Sequence, residues 1–216
     1  MYQQRVSFGG MMTGTVWVII AVNAAMFLLQ QVFPDLTPML ALHTNEVFPA
    51  RIHTLLTYSV LHGGFGHILF YMLSLYFFAG SLQAYLGLKR FLVIYIGSAM
   101  AGGLLSLAFT KGYWIVGASA SVLGVLTAYA VYFPHSKVLV FMILPMPIRH
   151  FIYLLMAVSV YFSVFGGGGN IAHLAHLGGM IFAFIYCRRW WNLKSAFDEL
   201  RRSEEHTSEL QSRQSI

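Results

Sequence analysis

Six stretches of the 216-residue chain consist almost entirely of apolar residues, and the segments between them carry charge, proline or glycine. Each stretch has roughly the 20 residues that a helix needs to cross a hydrocarbon core of ~30 Å. Because a chain in lipid must satisfy its own backbone hydrogen bonds, these stretches predict transmembrane helices. The six predicted spans are residues 14–33, 66–86, 91–109, 116–133, 149–165 and 171–187.

The longest connection, residues 34–65, mixes apolar residues with Asp35, Glu46 and Arg51. That mixture is too polar to cross a bilayer, and we expect a structured loop between the first two spans. The apolar stretch 138–144 ends at a Pro-Met-Pro sequence and indicates a short connecting piece before the fifth span.

Lysine and arginine are distributed unequally between the two sides of the predicted bundle. The outer side has only Arg51 and Lys111 between its spans. Positive residues collect on the cytoplasmic side of membrane proteins, so both termini are predicted to be cytoplasmic. The basic side has Arg5, Lys89, Arg90, Lys137, Arg149, Arg188, Arg189 and Lys194.

Composition supports a multi-pass integral membrane protein. Hydrophobic residues make up 58% of the chain, charged residues only 9%, and the mean hydropathy is +0.69, which excludes an ordinary soluble domain. The formal charge of +6 is spread singly or in pairs, so the expected surroundings are a lipid bilayer and not nucleic acid. The single Cys187 excludes an internal disulfide, and no metal or cofactor is expected.

The six spans predict one domain over residues 1–201. The remaining residues, 202–216, are polar and have no hydrophobic period. Within them, RSEEHTSELQS at 202–212 resembles a translated sequencing-adapter read. We expect an adapter-derived or disordered tail that takes no part in the fold.

Ser119 and His176 are the candidate catalytic pair. The fourth and sixth spans both run inward from the outer side, and at 1.5 Å per residue both side chains are expected roughly 5–10 Å below the interface. A serine becomes a nucleophile when a neighbouring imidazole takes its proton. No Asp or Glu lies within a span, so the pair would work as a dyad. Gly117 and Ala118 leave the hydroxyl unobstructed and put backbone N–H groups near a helix N-terminus, where an oxyanion could be stabilised.

Other interpretations of these residues remain open. A serine in a membrane helix often only permits close packing, and Ser121 is a competing nucleophile, although it is turned ~200° away from Ser119. His173 lies one turn from His176, nearer the interface. Paired histidines also suggest zinc, but no acidic residue accompanies either pair.

Three separated motifs resemble the rhomboid family of intramembrane serine proteases. Residues 117–124, GASASVLG, resemble its Gly-x-Ser-Gly element, and residues 175–179, AHLGG, its Ala-His-x-x-Gly element. Residues 62–72, HGGFGHILFYM, resemble the histidine-rich entry to its second helix. The resemblance spans about residues 14–191.

The resemblance implies an all-α, six-transmembrane-helix rhomboid-like bundle with a Ser119–His176 dyad. His67 would help to form the oxyanion hole, and His62 would support the loop or a site water. The expected substrates are single-span membrane proteins cut near their outer boundary. The compact form without extra domains resembles bacterial members, which implies a bacterial inner membrane.

Several positions depart from the family pattern. Tyr71 replaces an asparagine that donates to the oxyanion, and a phenol differs from an amide in reach and direction. Gln83 stands where glutamate is frequent, while Ala120 and Leu123 replace a glycine and an aromatic residue and are expected to narrow the site. The alternative function is a catalytically weak or silent rhomboid-like protein that binds membrane helices. A transporter is disfavoured because no span contains a carboxylate or a lysine.

Overall fold

The computed structural model describes residues 12–140, 144–166 and 173–189. The chain divides into two compact units, Met1–Phe184 and Ile185–Ile216; the described residues 185–189 of the second unit are helical. The first unit is predominantly helical. Its helices are α1 (Gly14–Val32), α2 (Leu36–Leu40), α3 (Thr54–Thr57), α4 (Phe65–Leu86), α5 (Leu88–Phe109), α6 (Ser119–Tyr132), α7 (Ile148–Phe165) and α8, the helical residues 173–184. Its strands are β1 (Leu42–His43), β2 (Trp114–Ile115), β3 (Lys137–Val140) and β4 (Leu144–Pro147).

Four described helices are long and apolar enough to cross a membrane: α1, α4, α5 and α7. They coincide with the first, second, third and fifth predicted spans, and the mainly helical structure fits an all-α membrane fold. Helix α6 has only 14 residues, or about 21 Å at 1.5 Å per residue. Six spans and cytoplasmic termini remain predictions.

The fourth predicted span began at residue 116, and this boundary is wrong. Trp114 and Ile115 pair with β1 as strand β2, and Gly117 has a φ of 127°, which no helix permits. The helix therefore begins at Ser119. Ser119 is consequently its first residue, rather than one several residues inside it.

Helix α6 forms the centre of the bundle. Eleven of its 14 residues are buried, including those on every side of the helix. A helix that is apolar all round is buried when other helices surround it. By contrast, α1 buries only Val16 and Asn23, and α7 buries only Ile148, Ile152 and Ser159. The apolar side chains that α1 and α7 leave exposed are those expected to face lipid.

Helices α5, α6 and α8 approach one another at glycines. A Cβ on Gly102 of α5 would stand 2.8 Å from the Cβ of Ala120 in α6 and 2.5 Å from the carbonyl oxygen of Ala175 in α8. A Cβ on Gly179 of α8 would stand 2.9 Å from the carbonyl carbon of Ala120. Small residues permit this close backbone approach between membrane helices. They bring the start of α8 against the start of α6.

Replacing Gly179 by Ala is expected to lower the free energy of unfolding by about 1–3 kcal/mol, the usual cost of overfilling a packed interior. The added methyl group would collide with the backbone of Ala120 and push α8 away from α6. Thermal unfolding in detergent measures the change. Gly66→Ala is the matched control, because a Cβ there meets no atom within 4 Å. Equal melting temperatures for the two variants would contradict this packing.

The connection between α1 and α4 is structured, as predicted. It contains α2, β1, α3 and a 3-10 turn at Tyr58–Val60. Arg51 holds the segment together: its guanidinium donates to Glu46 Oε2 at 2.8 Å and to the carbonyls of Pro38 and Met39, and lies 5.6 Å from the Trp114 ring. Strand β1 pairs with β2, so this segment is tied to the residues just before Ser119.

The predicted connecting piece before the fifth span is an antiparallel hairpin of β3 and β4, in which Lys137 pairs with Pro147. Other predictions concern residues outside the described part of the chain and stay predictions. These are the cytoplasmic location of Arg5 and Lys194, the start of the sixth span at residue 171, and the tail at 202–216. The single domain over 1–201 also stays a prediction.

Candidate active site

Ser119 lies at the N-terminus of α6 with its side chain almost completely buried, at 4% exposure. The first N–H groups of a helix have no acceptor within the helix. The N-cap residue, Ala118, has no side chain that could cap them. This end of α6 is therefore a concentrated set of donors beside a serine hydroxyl, where negative charge is stabilised.

Gly117 shapes the site sterically. Its own N–H donates to the carbonyl of Tyr58 at 2.9 Å, so it is not free for an oxyanion, contrary to one part of the sequence interpretation. A Cβ on Gly117 would lie 2.7 Å from Cε1 and 3.0 Å from Nε2 of His67, and 3.7 Å from Oγ of Ser119. Only glycine lets the imidazole reach this position, and only glycine adopts this φ without strain.

His67 lies in the first turn of α4 with one ring nitrogen already engaged. The backbone N–H of Gly63 donates to its Nδ1 at 3.2 Å. An imidazole nitrogen that accepts a hydrogen bond carries no proton, so the neutral ring has its proton on Nε2. That nitrogen faces Gly117, beside Ser119. His67 thus presents a donor to the space next to the candidate nucleophile.

Tyr71 follows His67 by one turn and lies on the same face of α4, as predicted. Its ring packs against that of His67 edge to face, with 5.0 Å between the centroids. Its hydroxyl lies near the side chain of Ser119, although no hydrogen bond between them is found among the described residues. The residue that departs from the family pattern therefore lies close to the candidate nucleophile.

His176 is placed near the start of α6 by its neighbours in the chain. Ala175 of α8 and Ala120 of α6 both lie against Gly102. His176 follows Ala175 and Ser119 precedes Ala120, so His176 and Ser119 belong to adjoining helical turns. His67 and His173 lie within electrostatic range of His176. The hydrogen bonds found among the described residues do not include one between Ser119 and His176.

A family model, the Rhomboid domain, matches residues 49–191, which is more than half of the chain. The chain belongs to the rhomboid family. The match contains all the residues that the structure brings together around Ser119, so these belong to the part of the chain that defines the family.

Three relatives have been found for this rhomboid. Rhomboid protein 1, mitochondrial, of Saccharomyces cerevisiae is 33% identical over 149 residues, 65% of this chain and 41% of its own. A candidate rhomboid protease of Bacillus subtilis, YdcA, is 32% identical over 61% of this chain and 63% of its own. The RHOMBOID-like protein 12, mitochondrial, of Arabidopsis thaliana is 26% identical over 77% of this chain and 55% of its own. The matches thus cover less than two thirds of each relative.

The competing residues of this rhomboid occupy different surroundings. Ser121 is fully buried and its Oγ has no hydrogen-bond partner in the described part of the chain. The ring of His173 stacks on Phe162 at 4.9 Å and lies 5.9 Å from the ring of His176. Ser119 is therefore the better placed serine, since it shares its surroundings with His67 and Tyr71.

His62 packs against His67. Its ring is 3% exposed and meets that of His67 edge to face at 5.5 Å. Burial, and next the charge of His67, lower the pKa of His62 to about 4, so the ring is neutral at physiological pH. A neutral imidazole here adds no charge that would oppose proton uptake elsewhere in the site.

The substitution at position 120 has a packing explanation. Its methyl group is fully buried and faces Gly102 across the helix contact. The expectation that Ala120 narrows the site is therefore not met.

Sequence reasoning overlooked Tyr58 and Gly102, because the partners that give them a role, Gly117 and Ala120, lie far away in the chain and no local pattern links them.

Proposed function

We propose that this rhomboid is an intramembrane serine endopeptidase with Ser119 as nucleophile and His176 as general base. The observation that carries the proposal is the set of groups at the N-terminus of α6. There a buried serine hydroxyl, an imidazole that donates from Nε2 and uncapped backbone N–H groups share one small region. Acyl transfer needs these three components together.

The reaction follows from these roles. His176 removes the proton of Ser119 while Oγ attacks the scissile carbonyl carbon, giving a tetrahedral intermediate. His67 and the first-turn N–H groups of α6 donate to its oxyanion. The C–N bond then breaks, and His176 passes its proton to the leaving amine. Water, deprotonated by the same imidazole, hydrolyses the acyl-enzyme and regenerates Ser119.

In this proposal, the hydrogen bond between His176 and Ser119 forms only when substrate is bound. Catalytic hydrogen bonds are frequently long in the free enzyme and tighten when substrate binds. In the free protein the Tyr71 hydroxyl lies near the Ser119 side chain, and the hydrogen bonds of the described residues join Ser119 to neither Tyr71 nor His176.

The proposed substrates are single-span membrane proteins cut near the outer boundary. A formed helix shields its carbonyl groups, so the cleaved segment must unwind locally. We further propose the six-span arrangement with cytoplasmic termini, which the distribution of lysine and arginine supports. A bacterial inner membrane stays a prediction, since two of the relatives are mitochondrial.

A rhomboid-like protein that binds membrane helices without cutting them is the second candidate function. Tyr71 favours it, because the phenol stands where the family pattern has an asparagine that donates to the oxyanion. The two candidate functions therefore assign different roles to Tyr71. The presence of Ser119 and His176 on adjoining helices favours the protease.

Two measurements on purified protein in detergent separate these functions. The protease is expected to cleave a generic transmembrane reporter, and a fluorophosphonate probe is expected to label Ser119, as mapped by peptide mass spectrometry. An adduct on Ser121 would instead make that residue the nucleophile. Binding of the reporter without cleavage or labelling would identify the silent relative.

A further inference from the structure

Gln30, near the end of α1, binds the backbone just ahead of α4. Its Nε2 donates to the carbonyl oxygen of His62 at 3.3 Å, and its Oε1 accepts from the N–H of His62 at 2.9 Å. Nε2 also donates to Oγ1 of Thr37 at 3.0 Å. The nitrogen and the oxygen of the Gln30 side-chain amide thus both form hydrogen bonds with the backbone of His62, 32 positions away.

The carbonyl that Gln30 holds belongs to the peptide group between His62 and Gly63. A peptide group is planar, so fixing the direction of its C=O also fixes the direction of its N–H. That N–H, on Gly63, is the one that donates to Nδ1 of His67. A continuous chain of hydrogen bonds therefore leads from α1 through one peptide plane to the imidazole.

The last of these hydrogen bonds determines which ring nitrogen of His67 carries the proton. A neutral imidazole exists in two tautomers, and a hydrogen bond accepted at one nitrogen places the proton on the other. With Nδ1 accepting from Gly63, the donor is Nε2, which lies beside Gly117 and Ser119. If the peptide plane rotated, Nδ1 would lose its donor and the ring could present a lone pair to the oxyanion.

We propose that Gln30 is a positioning residue that holds His67 in its Nε2-protonated tautomer through the His62–Gly63 peptide group. The inference rests on the proposed protease function, in which Nε2 donates to the oxyanion. Gln30 touches neither the substrate nor the reacting atoms. Its effect passes entirely through the backbone ahead of α4.

The neighbouring Gln31 shows what the same side chain does without this role. It is exposed, and its Nε2 donates to the carbonyl of Phe27 one turn earlier in α1. The two glutamines have the same length and the same helix propensity, and they lie side by side in the chain. Gln31→Met is therefore a matched control for Gln30→Met.

The first test reads the tautomer directly and needs no activity. Nitrogen-15 NMR of His67 in the wild-type protein is expected to show a protonated Nε2 and an unprotonated Nδ1. In Gln30→Met, whose side chain has a similar volume but no amide, a mixture of both tautomers is expected. Gln31→Met should retain the wild-type spectrum.

The second test separates kcat from KM for reporter cleavage. Gln30→Met is expected to lower kcat about tenfold, since a misdirected donor loses part of the 10²–10³-fold effect of a complete one. KM should stay within about twofold, because the interaction with the oxyanion exists only in the transition state. Gln31→Met and Thr37→Val, which removes only the third bond of Gln30, should leave both parameters unchanged.

The outcomes distinguish this inference from the function on which it rests. An unchanged His67 spectrum and kcat in Gln30→Met would overturn the role of Gln30. So would a wild-type His67 that is protonated at Nδ1, a result that stands even if Gln30→Met does not fold. If the wild-type protein cleaves no reporter, the protease function fails, and the tautomer measurement still decides whether Gln30 positions His67.

Discussion

Replacing either Ser119 or His176 by Ala is expected to abolish reporter cleavage, with a loss in kcat on the order of 10⁶-fold, as in serine proteases that lose the nucleophile or the base. Each change removes half of a proton-transfer pair, so either one alone stops acylation. The double variant should be no less active than either single variant, because the two residues act as a unit. Cleavage is measured by product formation over time with purified protein.

The controls for this experiment come from the same two helices. Ser121→Ala removes the other serine of the first turn, whose Oγ makes no hydrogen bond in the described structure. His173→Ala removes the histidine one turn before His176. Both should keep measurable cleavage and the wild-type helical content. Full activity in Ser119→Ala, with loss in Ser121→Ala, would transfer the nucleophile to position 121.

Replacing Tyr71 by Asn is expected to raise kcat by up to ~10²-fold, the value of one oxyanion donor. The change removes the phenol from Ser119 and supplies a shorter amide donor on the same face of α4 as His67. Steady-state kinetics of the two proteins with one reporter measure the gain.

Tyr71→Phe identifies the reason for any change. This variant keeps the ring that packs on His67 and removes only the hydroxyl that lies near Ser119. A rise in kcat would show that the hydroxyl restrains the nucleophile in the resting enzyme. A fall in kcat at constant KM would show that it donates to the transition state. If the Asn and Phe variants both match the wild-type protein, Tyr71 lies outside the chemistry.

The apolar pattern was sufficient to predict the long helices. Four spans coincide with helices of the structure because length and hydrophobicity are local properties of the sequence. The start of α6 was misplaced for the opposite reason. The apolar run was taken to begin at residue 116, but Gly117 donates to Tyr58, just after strand β2 pairs with β1, and both partners belong to an earlier segment of the chain.

The candidate site shows the same division. Ser119, His67 and Tyr71 could be selected from motifs, and the structure brings these three together. Gln30 could not, because two adjacent glutamines at the end of a span look alike in sequence. Only the backbone of His62 distinguishes them, and that contact depends on how α1 packs beside the entry to α4.

The shortness of α6 has a consequence for where a peptide bond can be broken. A helix of about 21 Å is about 9 Å shorter than the ~30 Å hydrocarbon core, so a nucleophile at its outer end is recessed when its inner end reaches the opposite interface. The number of residues in α6 then determines how far below the membrane surface the peptide bond is cut. The proposed protease would choose its cleavage position by distance from the membrane surface as well as by the side chains around the bond.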